Sequence, residues 1–197
     1  MLLATTNAGK VREIRLAMAA LPVELKTLAD LPPIPEPEET GLTFAANALL
    51  KANYYAESFG VDTVAEDSGL VIDALGGRPG VQSARYPGLT YADKFANLYR
   101  ELIGKPRPWT ARYVCSLAYV SAPAANGPVL LFATEATVEG EITPEPRGSF
   151  GFGYDPIFFY PPYARTLGEA TDEEKLKVSH RGAAFRGFRQ WLTAVSS

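Results

Sequence analysis

The order of patterns along the chain predicts an α/β fold, with strands and helices interleaved. Three observations carry this. Short apolar runs of strand length occur at Met1 to Thr5 and Val61 to Ala65. Helical periodicity fills the stretches from Val11 onward and from Thr43 to Phe59. Beyond Arg112, two strand-like segments follow each other directly, Arg112 to Ser121 and Pro128 to Thr143, across the turn-like Ala125-Asn126-Gly127-Pro128. Those neighbours point to an antiparallel or mixed portion of sheet.

Each element has its local reason. Met1 to Thr5 reads as a buried strand and Thr6 to Lys10 as a turn. Val11, Ile14, Leu16, Met18 and Leu21 then suit a helix packed on a sheet, ended by Pro22. Val23 to Thr27 is expected as a second strand. Leu31 to Pro37 holds four prolines and must be an extended loop. The helix from Thr43 stops at Gly60. The strand from Val61 is expected to break at Glu66-Asp67-Ser68-Gly69 and to resume at Leu70 to Ile72. Gly76 to Gly80 is a loop, and Thr90 caps a helix ending near Gly104. Gly148 to Asp155 is glycine-rich and aromatic. Thr171-Asp172-Glu173-Glu174 is a capping box. Ser179 caps a last helix whose buried stripe is Phe185, Phe188, Trp191, Leu192 and Val195. There is no internal repeat and no low-complexity tract.

Composition narrows the classes. The 197 residues amount to one domain at roughly 150 residues per domain. With 47% apolar residues, a packed interior is expected rather than disorder. A net charge of −3 argues against a dedicated nucleic-acid binder. One cysteine, Cys115, allows no intrachain disulfide, and with one histidine, His180, zinc built on such ligands is excluded. A Ser-His-Asp triad is open only with His180 as its base. A hard cation held by carboxylates is the metal to expect. No run approaches the roughly 18 apolar residues of a membrane helix, and Met1 to Thr5 lacks the pattern of a signal peptide. The chain reads as soluble and cytoplasmic, with the lone cysteine suited to a reducing compartment.

Four segments are candidates for chemistry. Thr5 to Lys10 joins a strand to a helix start, where N–H groups, a hydroxyl, an amide and an ammonium suit a polyphosphate. A helix cap with a solvated lysine is the plain alternative. Glu38-Glu39 ends the proline loop, and Glu66-Asp67-Ser68-Gly69 sets carboxylates at an expected strand end. That suits magnesium or water activation; an ordinary surface turn has the same composition. In Gly148 to Pro156, Phe152 and Tyr154 offer faces for a base and Asp155 an acceptor; aromatic residues folded onto the core would look alike. Lys175, His180 and Arg181 form the last group. His180 and Arg181 fall in a first helical turn, against the helix dipole, as functional groups or as an exposed basic turn.

Together these segments resemble the inosine triphosphate pyrophosphatase family. The matching stretches are ATTNAGKVREI, EETGLTFAANALLKA, AEDSGLVIDALGGRPGVQSARY, GSFGFGYDPIF and EEKLKVSHRGAAF, in the family's order, over nearly the whole chain. The resemblance implies an elongated mixed β-sheet flanked by helices, with two lobes around a central nucleotide-binding cleft. It implies a single nucleoside triphosphate pyrophosphatase domain over residues 1–197, a homodimer and dependence on Mg²⁺. ITP, dITP or XTP would be hydrolysed to the monophosphate and pyrophosphate, a housecleaning of the nucleotide pool. Carried over residue by residue, Thr5, Thr6, Asn7, Ala8, Gly9, Lys10 and Lys51 would hold the triphosphate. Glu39 and Asp67 would engage magnesium, with Asp67 also the general base, and Ser68 would touch substrate. Phe152 would stack on the base, with Gly153, Tyr154 and Asp155 completing that wall. Lys175, His180 and Arg181 would read the base edge.

The chemistry is consistent with this. A triphosphate needs cations to neutralise it, and an attacking water needs a carboxylate within hydrogen-bond reach. Donor-only lysine or arginine favours the six-position oxygen of hypoxanthine or xanthine over the amino group of adenine, by about 1–3 kcal/mol. Arg181 opposes the helix dipole, so its removal is expected to cost the empty fold little. Two alternatives stand beside this reading: a related pyrophosphatase acting on pyrimidine or modified nucleotides, and a non-catalytic nucleotide or RNA-binding module. Intact Glu39 and Asp67 and the acidic balance weigh against the second. Lys10→Ala is expected to raise KM through lost phosphate attraction, with kcat falling as well if Lys10 meets charge on the leaving pyrophosphate. Steady-state kinetics unchanged in both parameters would return Lys10 to a solvated lysine.

Overall fold

The structure, a computed structural model, describes residues 1–19 and 23–195. Leu21 and Pro22, expected at the end of the first helix, lie outside the described residues. The fold is α/β, a mixed sheet flanked by helices. Its strands are β1 (Leu2–Leu3), β2 (Lys26–Thr27), β3 (Thr63–Ile72), β4 (Thr110–Val120), β5 (Leu130–Ile142), β6 (Phe158–Tyr160) and β7 (Arg165–Thr166). They lie in the order β2-β1-β3-β4-β5-β6-β7. β1 is parallel to both β2 and β3, with Leu2 opposite Lys26 and Thr63. β6 is antiparallel to β5 and β7, with Ile142 opposite Phe158 and Phe159 opposite Thr166. The α-helices are α1 (Ala8–Met18), α2 (Phe44–Phe59), α3 (Tyr91–Leu102), α4 (Asp172–Val178) and α5 (His180–Val195). Among the described residues, no helix is long and apolar enough to cross a membrane.

The chain divides into two compact units. One comprises Met1–Asp67, Cys115–Ala136 and the chain from Arg181; the other comprises Ser68–Val114 and Thr137–His180. In the first unit, α2 begins at Thr43, whose hydroxyl accepts from the Ala46 N–H, and ends at Gly60. Its stripe of Ala48, Ala52, Tyr55 and Ala56 is buried against Leu2, Ala4, Ala65, Ala118 and Val120. Alternate residues of a strand face opposite ways. Tyr119 accordingly meets α5, its ring 5.1 Å from Phe188 and 5.9 Å from Trp191. With both faces covered, β4 is buried along nearly all its length, which is why it reads as a continuous apolar run.

In the second unit, α3 presents Phe95, Leu98 and Leu102 to a core that includes Leu70, Ile72, Trp109, Tyr113, Ile157 and Phe158. Each fully buried side chain of this size contributes roughly 1.5–3 kcal/mol. Thr90 caps α3 and shares a capping box with Asp93. Thr171 and Glu174 form the capping box expected for α4.

Three expectations are corrected. β3 does not break at Glu66; it runs unbroken through Glu66-Asp67-Ser68-Gly69, since its buried carboxylates find cations to pair with. β2 is only Lys26–Thr27, not the whole of Val23 to Thr27. Leu16 is 43% exposed and Val195 59% exposed. α1 buries Glu13, Ile14, Ala17 and Met18, and Leu16 lies about 200° around the helix from Ile14.

Gly148 is a position where only glycine fits. Its φ is +80°, and a Cβ there would lie 2.0 Å from the Gly168 carbonyl oxygen and 2.5 Å from the Glu169 nitrogen, both backbone atoms that cannot swing aside. Gly148→Ala is expected to lower stability by about 2–5 kcal/mol, from left-handed strain plus overpacking. Urea denaturation of the two proteins measures it.

Candidate active site

The site in the first unit is built by alternation along β3. Glu66 and Asp67 are neighbours, so their side chains leave opposite faces of the strand. Glu66 meets α1 and α5, whereas Asp67 meets α2. Glu66 has no side-chain exposure, and its Oε1 lies 2.9 Å from Lys10 Nζ and 3.3 Å from Arg181 Nε. Its Oε2 accepts from the Cys115 thiol at 3.5 Å. Arg181 Nη1 also donates to Glu13 at 2.6 Å. Two cations therefore balance two carboxylates, with Glu13, Glu66 and Arg181 buried and Lys10 only slightly exposed. Burial alone would raise the Glu66 carboxyl, but Arg181, Lys10 and Lys51 outweigh it and hold Glu66 well below the usual carboxylate range. Burial pushes the Cys115 thiol well up.

On the other face, Asp67 Oδ2 accepts from the Asn47 amide at 3.1 Å, and Oδ1 lies 3.6 Å from Lys51 Nζ. Lys51 donates to Glu39 at 2.5 Å. Burial is the main influence on Asp67 and raises its pKa, with Lys51 and Lys10 opposing and Glu39 and Glu66 assisting. Burial works to lower the Lys51 ammonium pKa, yet Asp67, Glu66 and Glu39 leave it raised. The Thr5-to-Lys10 segment opens α1. Asn7 is its N-cap and accepts from the Lys10 N–H at 3.1 Å, Thr5 Oγ1 accepts from the Asn7 N–H, and Thr6 donates to Glu36. Ala8, Gly9 and Lys10 form the first turn. Lys10 is no solvated lysine, since its ammonium is paired with Glu66 and its side chain is only 15% exposed.

The second unit carries its own cluster. Asp155 is buried and accepts from Lys175 Nζ at 2.5 Å and from the Phe152 N–H at 2.8 Å. Tyr113 donates to its other oxygen at 3.3 Å and stacks on the His180 ring at 4.7 Å. Burial, reinforced by Asp155, holds the Tyr113 phenol well above its usual pKa. Lys175 Nζ sits 4.6 Å over the Phe152 ring, a cation–π contact. Phe152 and Gly153 are half-buried, as is Ser68 on β3. Tyr154 belongs to the hydrophobic core, and its hydroxyl donates to the Ser83 carbonyl. Lys175, His180 and Arg181 are all buried, so they are not an exposed basic turn.

Among the described residues, no group of three or more His, Cys, Asp or Glu side chains gathers as for a metal ion. Glu39 and Asp67 both face the single ammonium of Lys51, however. Two hard oxygen donors turned to one positive charge form a set that a divalent cation with phosphate ligands suits.

Fold and cluster together describe an α/β protein that pairs buried lysines with carboxylates. The profile of the Ham1 family matches residues 1–191, and the chain belongs to that family. A dITP/XTP pyrophosphatase of Geobacillus kaustophilus is 47% identical, covering 98% of this chain and 94% of that protein. A Ham1 protein of Coxiella burnetii has a solved structure with a TM-score of 0.85 at 36% identity, covering 98% of each chain. The structure of a nucleoside-triphosphatase / dITP/XTP pyrophosphatase from Mycobacterium abscessus gives a TM-score of 0.74 at 39% identity, over 95% of this chain and 97% of that one.

Sequence reasoning passed over Glu13, Asn47, Cys115 and Tyr113. Glu13 and Asn47 had a usable signal, because each is a polar residue on the buried stripe of its helix. Cys115 and Tyr113 sit inside an apolar strand and carried none. The expected cheap removal of Arg181 is also corrected. Its guanidinium is 2% exposed and committed to Glu13 and Glu66, which answer its conflict with the helix dipole. Arg181→Met would take the guanidinium away from two buried carboxylates, Glu13 and Glu66. The ligand-free protein is expected to lose about 3–5 kcal/mol, read from urea denaturation. An unchanged midpoint would show that the network does not hold this region together.

Proposed function

We propose that this chain hydrolyses ITP, dITP and XTP to the nucleoside monophosphate and pyrophosphate, acting as a single nucleoside triphosphate pyrophosphatase domain. The observation that carries the reading is a pair of lysines set against carboxylates at the middle of β3: Lys10 at the start of α1 on Glu66, and Lys51 on Glu39 and Asp67. The names of the relatives support it. Thr5, Thr6, Asn7, Ala8, Gly9, Lys10 and Lys51 would take the triphosphate, favoured by the positive end of α1 and by both ammoniums.

Asp67 is the general base. Burial raises its pKa, which makes its carboxylate a better proton acceptor near neutral pH. It takes one proton of the attacking water as the water oxygen bonds to the α-phosphorus. The bond from that phosphorus to the bridging oxygen breaks, and pyrophosphate leaves with the electron pair. Lys10 and Lys51 offset the charge that gathers on it. Glu39 and Asp67 would hold Mg²⁺ with phosphate oxygens, and bound there it supplies further charge neutralisation.

In the second unit, Phe152 would stack on the base, with Gly153 and Asp155 beside it and Tyr154 supporting them from the core. Lys175, His180 and Arg181 would read the base edge, where a donor-only cation favours a six-position oxygen over an amino group. Ser68 would touch substrate. Arg181 also enters the reading through Glu66, as the charge that holds the carboxylate cluster together. A homodimer, a cytoplasmic setting and a role in clearing the nucleotide pool complete the proposal.

Pyrophosphate release measured with ITP, XTP, dITP, GTP and ATP, with and without Mg²⁺, tests the reading. ITP, dITP and XTP are expected to be hydrolysed well above ATP and GTP, and only with the metal. Asp67→Asn is expected to lose roughly 10²–10⁴-fold in kcat with the fold intact. Wild-type turnover in that variant would remove Asp67 from the role of base.

A further inference from the structure

Asn47 stands on α2, one turn before Lys51, and is 1% exposed. A buried primary amide needs partners for both its ends. The Asn47 Oδ1 accepts the Gly41 N–H at 2.7 Å, and its Nδ2 donates to Asp67 Oδ2 at 3.1 Å. These partners settle the amide orientation. A backbone N–H only donates, and an ionised carboxylate only accepts. One side chain thus ties β3 to the loop that carries Glu39.

Gly41 matches this contact by size. A Cβ at position 41 would lie 2.5 Å from Asn47 Oδ1, 2.9 Å from the Ala46 Cβ and 3.0 Å from the Asn47 nitrogen. No positive φ is involved, so the constraint is the close approach of the amide. Any side chain there would push Asn47 off its partners. The two oxygens of Asp67 are meanwhile distinguished. Oδ2 is held by Asn47, and Oδ1 is the one directed towards Lys51.

We propose that Asn47, seated by Gly41, is a positioning residue that clamps Oδ2 of Asp67 and so presents Oδ1 as the oxygen that takes the water's proton. This rests on the reading of Asp67 as general base. Asn47 contacts no reacting atom, and the role proposed for it is exerted through Asp67.

The test uses the full chain with ITP and the variants Asn47→Ala, Gly41→Ala and Asp67→Asn, together with both double variants that include Asp67→Asn. Asn47→Ala and Gly41→Ala are each expected to lower kcat roughly 10–100-fold, with KM within about twofold of wild type. In the Asp67→Asn background, either substitution is expected to change kcat by less than about twofold, because the residue it acts through is already disabled. Hydrogen exchange of the Asn47 side-chain NH₂, followed by NMR without ligand, is expected to be slow in wild type and fast in Gly41→Ala. If Asn47→Ala does not fold, the Gly41→Ala pair carries the same comparison. Wild-type kcat in the folded variants, or a full further loss on top of Asp67→Asn, overturns the positioning role and leaves the base assignment standing. Wild-type turnover in Asp67→Asn itself overturns the base assignment, and the positioning role falls with it.

Discussion

A carboxylate buried in the middle of a strand has to be answered by positive charge, and much of the first unit is arranged around that requirement. Glu66 has no side-chain exposure. Left alone there it would be protonated, because burial disfavours the anion. Arg181 from α5 and Lys10 from α1 reverse the balance, and that requires both helices on the same face of β3. Arg181 brings a charge to be satisfied in turn, which Glu13 supplies. The arrangement is self-consistent and also brittle, since removing one member strands the others.

The opposite face of the strand obeys a different rule. Asp67 is one residue on and meets α2, where Asn47 and Lys51 are its partners. Two adjacent carboxylates therefore sit in unlike surroundings. Glu66 is held firmly as an anion by cations at close range, whereas burial raises Asp67. Neighbouring acids on one strand are thus pushed apart in pKa by what packs against each face. Here the difference follows from strand geometry, with Glu39 on the proline loop adding to the rise at Asp67.

The second unit handles its buried charge with a smaller set. Asp155 and Lys175 neutralise each other, the Phe152 N–H and the Tyr113 hydroxyl complete the hydrogen bonding, and aromatic rings close over the pair. The glycine-rich run sorts its rings by what they can bury. Tyr154 turns inward, where its hydroxyl finds the Ser83 carbonyl, while Phe152 stays half-buried over Lys175.

Local patterns alone determined the α/β class, the caps at Thr90 and Thr171, and the helices that begin at Thr43, Thr90 and Thr171. The reason is that helical period and capping depend on residues a few positions apart. The ordered motifs also marked Lys10, Lys51, Asp67 and Lys175 as candidates. Tertiary structure decided the rest. Glu66-Asp67-Ser68-Gly69 has the composition of a turn, and only the cations brought by α1, α2 and α5 allow it to continue as strand. Whether Arg181 was an exposed donor or a buried counter-charge depended on Glu13, 168 positions away in sequence. The same holds for Asn47, whose partner Asp67 is 20 residues on. A side chain's residue type is written locally, but its charge environment is the sum over whatever the fold packs against it, and that sum forms only when distant segments meet.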